Sequence, residues 1–185
     1  SKIMGLQAKF VEGDAEFLPY EENKFDIVVS QYGHMFAPRP SIVVKELARV
    51  LKPGGILAFS TWPKELFMGQ FFKLIEDFSP SPPSEVESPV LWGDMTIIEE
   101  RLRDHFENIE FGRDTMLAPT MSPAHMLKLF EKNAGPLANL VRALADDPSK
   151  LKELRESVLV LVEKFFSNNF LKQDFLMTRC IKKSS

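Results

Sequence analysis

The spacing of apolar and polar positions changes several times along the chain, and each change marks an element. Residues 8–11 form a short apolar run stopped by Gly13-Asp14 and read as a strand. Phe25-Asp26-Ile27-Val28-Val29-Ser30 is a β-branched run of the kind buried in parallel sheets. Over residues 40–51, Val43, Leu47, Val50 and Leu51 fall on one helical face. Pro40 and Ser41 suit the start of that helix. Lys52-Pro53-Gly54-Gly55 ends it, because proline cannot extend the hydrogen-bond ladder and glycine tolerates positive φ. Residues 56–61 are the next strand. Strand, helix and strand joined by tight turns make a βαβ unit, hence a parallel pair with a right-handed crossover.

Beyond Thr61 the pattern becomes helical. Residues 64–78 predict a helix with Phe67, Phe71, Ile75 and Phe78 on one side. Residues 79–89 are proline-rich and predict a loop or lid. Asp94 suits the N-cap of a helix running to about Phe106. Residues 108–116 place Ile109, Phe111 and Arg113 on one face of a strand. Ser122-Pro123 opens a helix that Gly135 closes. Pro136 opens another, stopped at Asp146-Asp147-Pro148, and Ser149 opens a third, running to about Asn168. Residues 174–181 predict a strand that returns to the sheet.

The composition is that of a globular chain: 185 residues, 44% hydrophobic and 26% charged. The net charge of -3 lends no support to a nucleic-acid partner, which usually meets a basic surface. Cys180 is the single cysteine, so neither an intramolecular disulfide nor a cysteine-based zinc cluster is expected. The three histidines are scattered, and no metal site is expected. No apolar stretch is long enough to span a bilayer, and the opening residues lack a signal-peptide pattern. A cytoplasmic protein is the expectation.

Three segments occur in a telling order: Phe10-Val11-Glu12-Gly13-Asp14-Ala15-Glu16-Phe17-Leu18-Pro19, then Phe25-Asp26-Ile27-Val28-Val29-Ser30, then Glu46-Leu47-Ala48-Arg49-Val50-Leu51-Lys52-Pro53-Gly54-Gly55. Together they resemble class I S-adenosylmethionine-dependent methyltransferases, particularly the small-molecule group similar to ubiquinone and menaquinone methyltransferases. The resemblance is close over residues 8–62 and loose over 92–180. It implies an α/β, Rossmann-like class I methyltransferase sheet, incomplete at its N-terminal half, with a helical cap. The implied organisation is a partial cofactor-binding core at 1–62, helical cap and mobile loop at 63–107, a strand returning to the core at 108–120, further cap at 121–170 and a closing core strand at 171–185.

The resemblance places S-adenosylmethionine against Asp14, Ala15, Glu16, Ser30, Gln31 and Tyr32. It implies that the Asp14 carboxylate accepts from the adenine amino group and the Ala15 N–H meets an adenine ring nitrogen, with Phe17 and Leu18 covering the base. Ser30, Gln31 and Tyr32 would pass beneath the methionine moiety, and Gly33 would let backbone approach a ligand. His34 and Tyr32 are the candidate catalytic groups, His34 through an intrinsic pKa near 6.5. From the residues alone, Asp14 could equally cap a turn, residues 30–32 could be an ordinary loop, and His34 could be structural or solvated. The phenylalanines of the helical part serve core packing, an apolar acceptor pocket under the cap, or both.

The glycine-rich loop with which such enzymes normally begin is missing, because the nine glycines never form Gly-x-Gly. Residues 1–8 resemble the helix and loop before the family's third strand, so about two βα units are expected to be absent. In the family the first strand lies beside the counterpart of residues 25–30. Its absence would expose an apolar edge, unless omitted residues, a rearranged sheet or a second copy fill the gap. The expected activity is direct methyl transfer to a small, apolar acceptor. The alternative is a methyltransferase-like protein without catalysis that binds a partner. A nucleotide-dependent oxidoreductase is weaker, for want of Gly-x-Gly-x-x-Gly and Tyr-x-x-x-Lys.

Overall fold

The computed structural model describes residues 8–80 and 87–184. Strand β1 (Phe25–Gln31) leads through a short 3-10 turn (His34–Phe36) into helix α1 (Pro40–Val50), which feeds strand β2 (Leu51–Thr61). Helix α1 takes Pro40 at its first turn and buries Val43, Val44, Leu47, Ala48 and Val50 against the sheet. β1 and β2 pair in parallel, as the βαβ reading requires. Their register jumps at the proline-glycine turn. While β1 advances from Phe25 to Ile27, β2 advances from Leu51 to Ile56, with Gly54 at φ 75°.

Helix α2 (Phe67–Phe78) follows, then a 3-10 turn (Pro89–Gly93) and helix α3 (Met95–Leu102), whose Asp94 cap accepts from the N–H groups of Thr96 and Ile97. Part of the proline-rich loop, residues 81–86, lies outside the described residues. Strand β3 (Phe106–Pro119) precedes helices α4 (Pro123–Asn133), α5 (Gly135–Ala143) and α6 (Pro148–Phe165). The short strand β4 (Phe166–Ser167) turns back into β5 (Phe170–Lys182). The sheet order is β1-β2-β5-β3, with β5 antiparallel to both neighbours and β4 paired to β5.

Several boundaries depart from the pattern. The helix expected to reach Phe106 stops at Leu102, because Phe106 is already paired to Lys182. Gly135 opens α5 rather than closing α4. Helix α6 begins at Pro148 under an Asp147 cap, and ends before a hairpin whose Asn168 and Asn169 both have positive φ. That hairpin starts β5 four residues early. The largest departure is at residues 8–11, which are exposed and form no strand. Among the described residues nothing pairs with β1 on its outer side, so a strand there has no ladder to join. Ile27 and Val29, which share one face of β1, stand 57% and 71% exposed.

Two apolar clusters organise the interior. One joins α1, α3 and the sheet around Phe59, Trp92, Leu57 and Phe106. The other joins α2, α4, α5 and α6 around Phe67, Phe71, Leu137, Leu154 and Val158. Trp62, at the end of β2, touches both. No helix among the described residues is long and apolar enough to cross a membrane.

Candidate functional site

The turn after residue 13 is built by its own aspartate. Asp14 Oδ1 accepts from the Glu16 N–H at 2.9 Å, and the Asp14 carbonyl accepts from the Phe17 N–H at 3.0 Å. This Asx-type turn leaves Asp14 exposed. Its second carboxylate oxygen and the Ala15 N–H have no hydrogen-bond partner among the described residues. Phe17 is 76% exposed and Leu18 half-buried.

Glu16 points the other way. Its carboxylate is buried, with Oε1 accepting from the Arg39 backbone N–H at 2.8 Å and Oε2 from Arg39 Nε at 2.7 Å. Both oxygens are therefore taken by protein, so Glu16 offers no side-chain contact to a cofactor.

Two residues of the third motif complete the anchoring. Glu46 Oε2 accepts from the Leu18 N–H at 2.9 Å. Arg49 donates to the carbonyls of Tyr20 at 2.7 Å and Leu18 at 3.1 Å, and to Glu46 Oε1 at 2.8 Å. Hydrogen bonding from Arg49 chiefly holds the Glu46 carboxyl below its ordinary range. The sequence assigns these residues no role, although Glu46 and Arg49 stand at i, i+3 on a helix, the spacing of a side-chain pair.

Across from the turn, Gly33, Phe36, Ala37 and Pro38 face Glu12, Gly13, Asp14 and Ala15 over a cleft of about 640 Å³. The cleft lies beyond the carboxyl end of β1, where open α/β sheets bind their ligands. A Cβ built on Gly33 meets nothing nearer than Ser30 Oγ at 3.8 Å, so protein packing does not itself demand glycine there. The unsatisfied carboxylate oxygen, the free Ala15 N–H and the bare Gly33 backbone fit an adenosine-bearing cofactor. An apolar trough of about 430 Å³ shares Gly13, Ala15 and Gly33 with this cleft and runs along β1 past Ser30.

His34 is placed differently from expectation. It is 3% exposed, with its ring edge-on to Phe59 and to Trp92, each at 4.6 Å. Nδ1 lies 2.9 Å from Ser30 Oγ, which also accepts from the His34 N–H at 3.2 Å. Burial, helped by the charge of Arg101, pushes the imidazole down to about 4. Nε2 has no partner among the described residues. The ring is thus enclosed in the core and held to Ser30, its Nδ1 taken by protein.

Tyr32 has φ 61° and donates its N–H to the Ser60 carbonyl at 3.2 Å. Its ring is stacked on Trp62 at 4.0 Å, and burial raises its pKa. Gln31 is exposed. These two line a separate trough of about 410 Å³ with Ser60, Thr115 and Phe175. The structure thus joins Asp14 and Ala15 in one cleft, sets Ser30 at the border of both troughs, and puts Gln31 and Tyr32 in the second.

A parallel β1–β2 pair, beyond whose carboxyl end an acid turn faces a glycine-bearing loop, is the architecture of a Rossmann-like α/β domain. Residues 2–59 match a family model described as a methyltransferase domain, which bears out the resemblance carried by the three motifs. The uncharacterized protein Rv1403c of Mycobacterium tuberculosis H37Rv is 29% identical over 174 residues, 94% of this chain and 64% of that protein. The chain therefore spans less than two thirds of this relative's length. Demethylmenaquinone methyltransferase of Staphylococcus aureus JH9 is 47% identical over 49 residues, 26% of this chain and 20% of that one. The BH2331 protein of Bacillus halodurans C-125, assigned as a methyltransferase, superimposes with TM-score 0.56 and 16% identity, covering 98% of this chain and 75% of that one. YcgJ of Bacillus subtilis gives 0.54 and 18%, covering 100% and 75%. At these identities the structures speak to fold alone, and they bear out the expected α/β class.

Proposed function

We propose that this chain is part of an S-adenosylmethionine-dependent enzyme that methylates a small, apolar acceptor by direct transfer. The observation that carries the reading is the Asp14–Ala15 turn, with one free carboxylate oxygen and one free N–H facing Gly33 across the cleft. Asp14 and Ala15 hold the adenine, and Ser30 and Gly33 border the remainder of the cofactor. The bound cofactor supplies an activated methyl group; the protein orients it and excludes water.

The apolar acceptor is supported by Phe36, Phe72, Ile75, Pro89 and Pro136 in a neighbouring hollow of about 650 Å³, whose wall also carries Lys73, Glu76, Asp77 and Glu87. Phe36 is a wall of both this hollow and the cofactor cleft. Its ring meets Phe72 at 5.4 Å, and Phe72 is stacked on Trp62 at 5.5 Å. Tyr32, stacked on Trp62, is a hydroxyl-bearing candidate for acceptor contact. A cytoplasmic setting completes the reading.

Calorimetric titration of the full chain with S-adenosylmethionine tests this. Binding is expected, and Asp14→Ala is expected to weaken it about tenfold, the worth of one charge-assisted hydrogen bond. A cooperatively folded chain that takes up no cofactor would overturn it. That result favours a partner-binding protein without catalysis, a reading supported by the apolar edge that Ile27 and Val29 expose.

A further inference from the structure

We propose that Glu16, clamped by Arg39, is a positioning residue that ties the two walls of the cofactor cleft together and sets cofactor affinity without touching the cofactor. The inference rests on the reading of the Asp14–Ala15 turn as the adenine site.

Glu16 follows Ala15 directly on one wall, and Arg39 follows Pro38 directly on the other. One carboxylate spans the gap between these walls. Oε1 takes the Arg39 backbone N–H, which fixes the main chain at the entry to α1, while Oε2 takes the guanidinium. The Glu16 side chain is 5% exposed and that of Arg39 is 64% exposed, so the anion is enclosed while its partner stays open to solvent. An enclosed carboxylate with both oxygens engaged holds its backbone to a narrow range of positions. The Glu16 N–H is also the donor to Asp14 Oδ1. Movement of Glu16 therefore transmits to the rotamer of Asp14, and hence to the direction of the oxygen left for a ligand. Glu46 and Arg49 anchor the far end of the turn at Leu18 and Tyr20, so Glu16 is the tether nearest the cleft.

The chemistry separates this role from mere stability. Removing the Glu16 charge loosens the turn, so the cost falls on cofactor binding, and catalysis at saturating cofactor is kept. The test compares the full chain with Glu16→Gln, Arg39→Gln and the double variant. Each single variant is expected to raise the calorimetric Kd for S-adenosylmethionine about tenfold, and the double variant no more than either single one, because both remove the same contact. Amide exchange at Glu16 and Phe17, the two bonded N–H groups of the turn, is expected to quicken in all three without ligand. Any methyl transfer detected keeps its kcat while KM for the cofactor rises. Should Glu16→Gln fold poorly, Arg39→Gln on the exposed partner carries the same comparison. Unchanged affinity and unchanged exchange in Arg39→Gln overturn the inference while leaving the adenine site intact. A wild-type chain that binds no cofactor overturns both.

Discussion

At the scale of single residues, the electrostatics of this chain are set by what is enclosed. His34 shows this best, since its pKa near 4 in the folded state lies below the ordinary value of 6.5. The unfolded chain therefore takes up a proton between these values that the folded chain refuses. Stability from this group is complete above about pH 6.5 and is lost as pH falls toward 4. By pH 5 the loss is about 2 kcal/mol. Urea unfolding at pH 7.5 and pH 5 should show a steeper loss for wild type than for His34→Leu; equal losses would contradict the neutral, enclosed imidazole. The contrast between Asp14 and Glu16 follows from the same cause. Two acids stand two positions apart in one motif, yet one is left open to a ligand and the other is closed by Arg39. Their residue types do not distinguish them; the arrival of Arg39 from residue 39 does.

At the scale of elements, close backbone approach decides how the helical part joins the sheet. A Cβ on Gly69 would lie 2.1 Å from the Pro63 carbonyl oxygen, and one on Gly93 would lie 2.3 Å from Pro63 Cα. Helix α2 and the turn before α3 thus both close on the segment leaving β2. Gly69→Ala and Gly93→Ala are each expected to cost about 2 kcal/mol through backbone displacement. Gly112→Ala, where an added Cβ meets nothing within 4 Å, should not. Thermal midpoints of the three variants check this, and a Gly112 variant as unstable as the other two would refute it. The β4–β5 hairpin is a second case. Asn169 at φ 62° sits where a β-branched residue is strained, so Asn169→Val is expected to destabilise by about 1 kcal/mol, and Asn169→Gly to be neutral or stabilising, by chemical denaturation.

At the scale of the whole molecule, the outer side of β1, unpaired among the described residues, dominates. Ile27 and Val29 are exposed on one face of this edge strand, beside an apolar trough that runs from Phe25 to Ser30. Exposed apolar strand edges recruit other strands. Val29→Lys is expected to shift the full chain toward monomer in light scattering at micromolar concentration; wild type that is already monomeric would exclude self-association through this edge.

Local signals were enough for most elements. Asp94 and Ser122 announced their helices because a short acceptor side chain before an apolar face satisfies the first free N–H groups wherever it occurs. The βαβ unit was legible for the same reason, since alternating period and a Pro-Gly-Gly break act over a few residues. Residues 8–11 were not, because a strand exists only with a neighbour to share its hydrogen bonds, and none lies beside β1 among the described residues. Of the site, Asp14 and Ala15 could be named from the motif, whereas the enclosure of His34, the capture of Glu16 and the anchoring by Glu46 and Arg49 could not. The sequence by itself determined most of the segments that become helix and strand, residues 8–11 excepted, and which turn meets the cleft. Only the tertiary structure decided which polar groups there are spent on protein, because burial and pairing depend on partners 23 to 28 residues away along the chain.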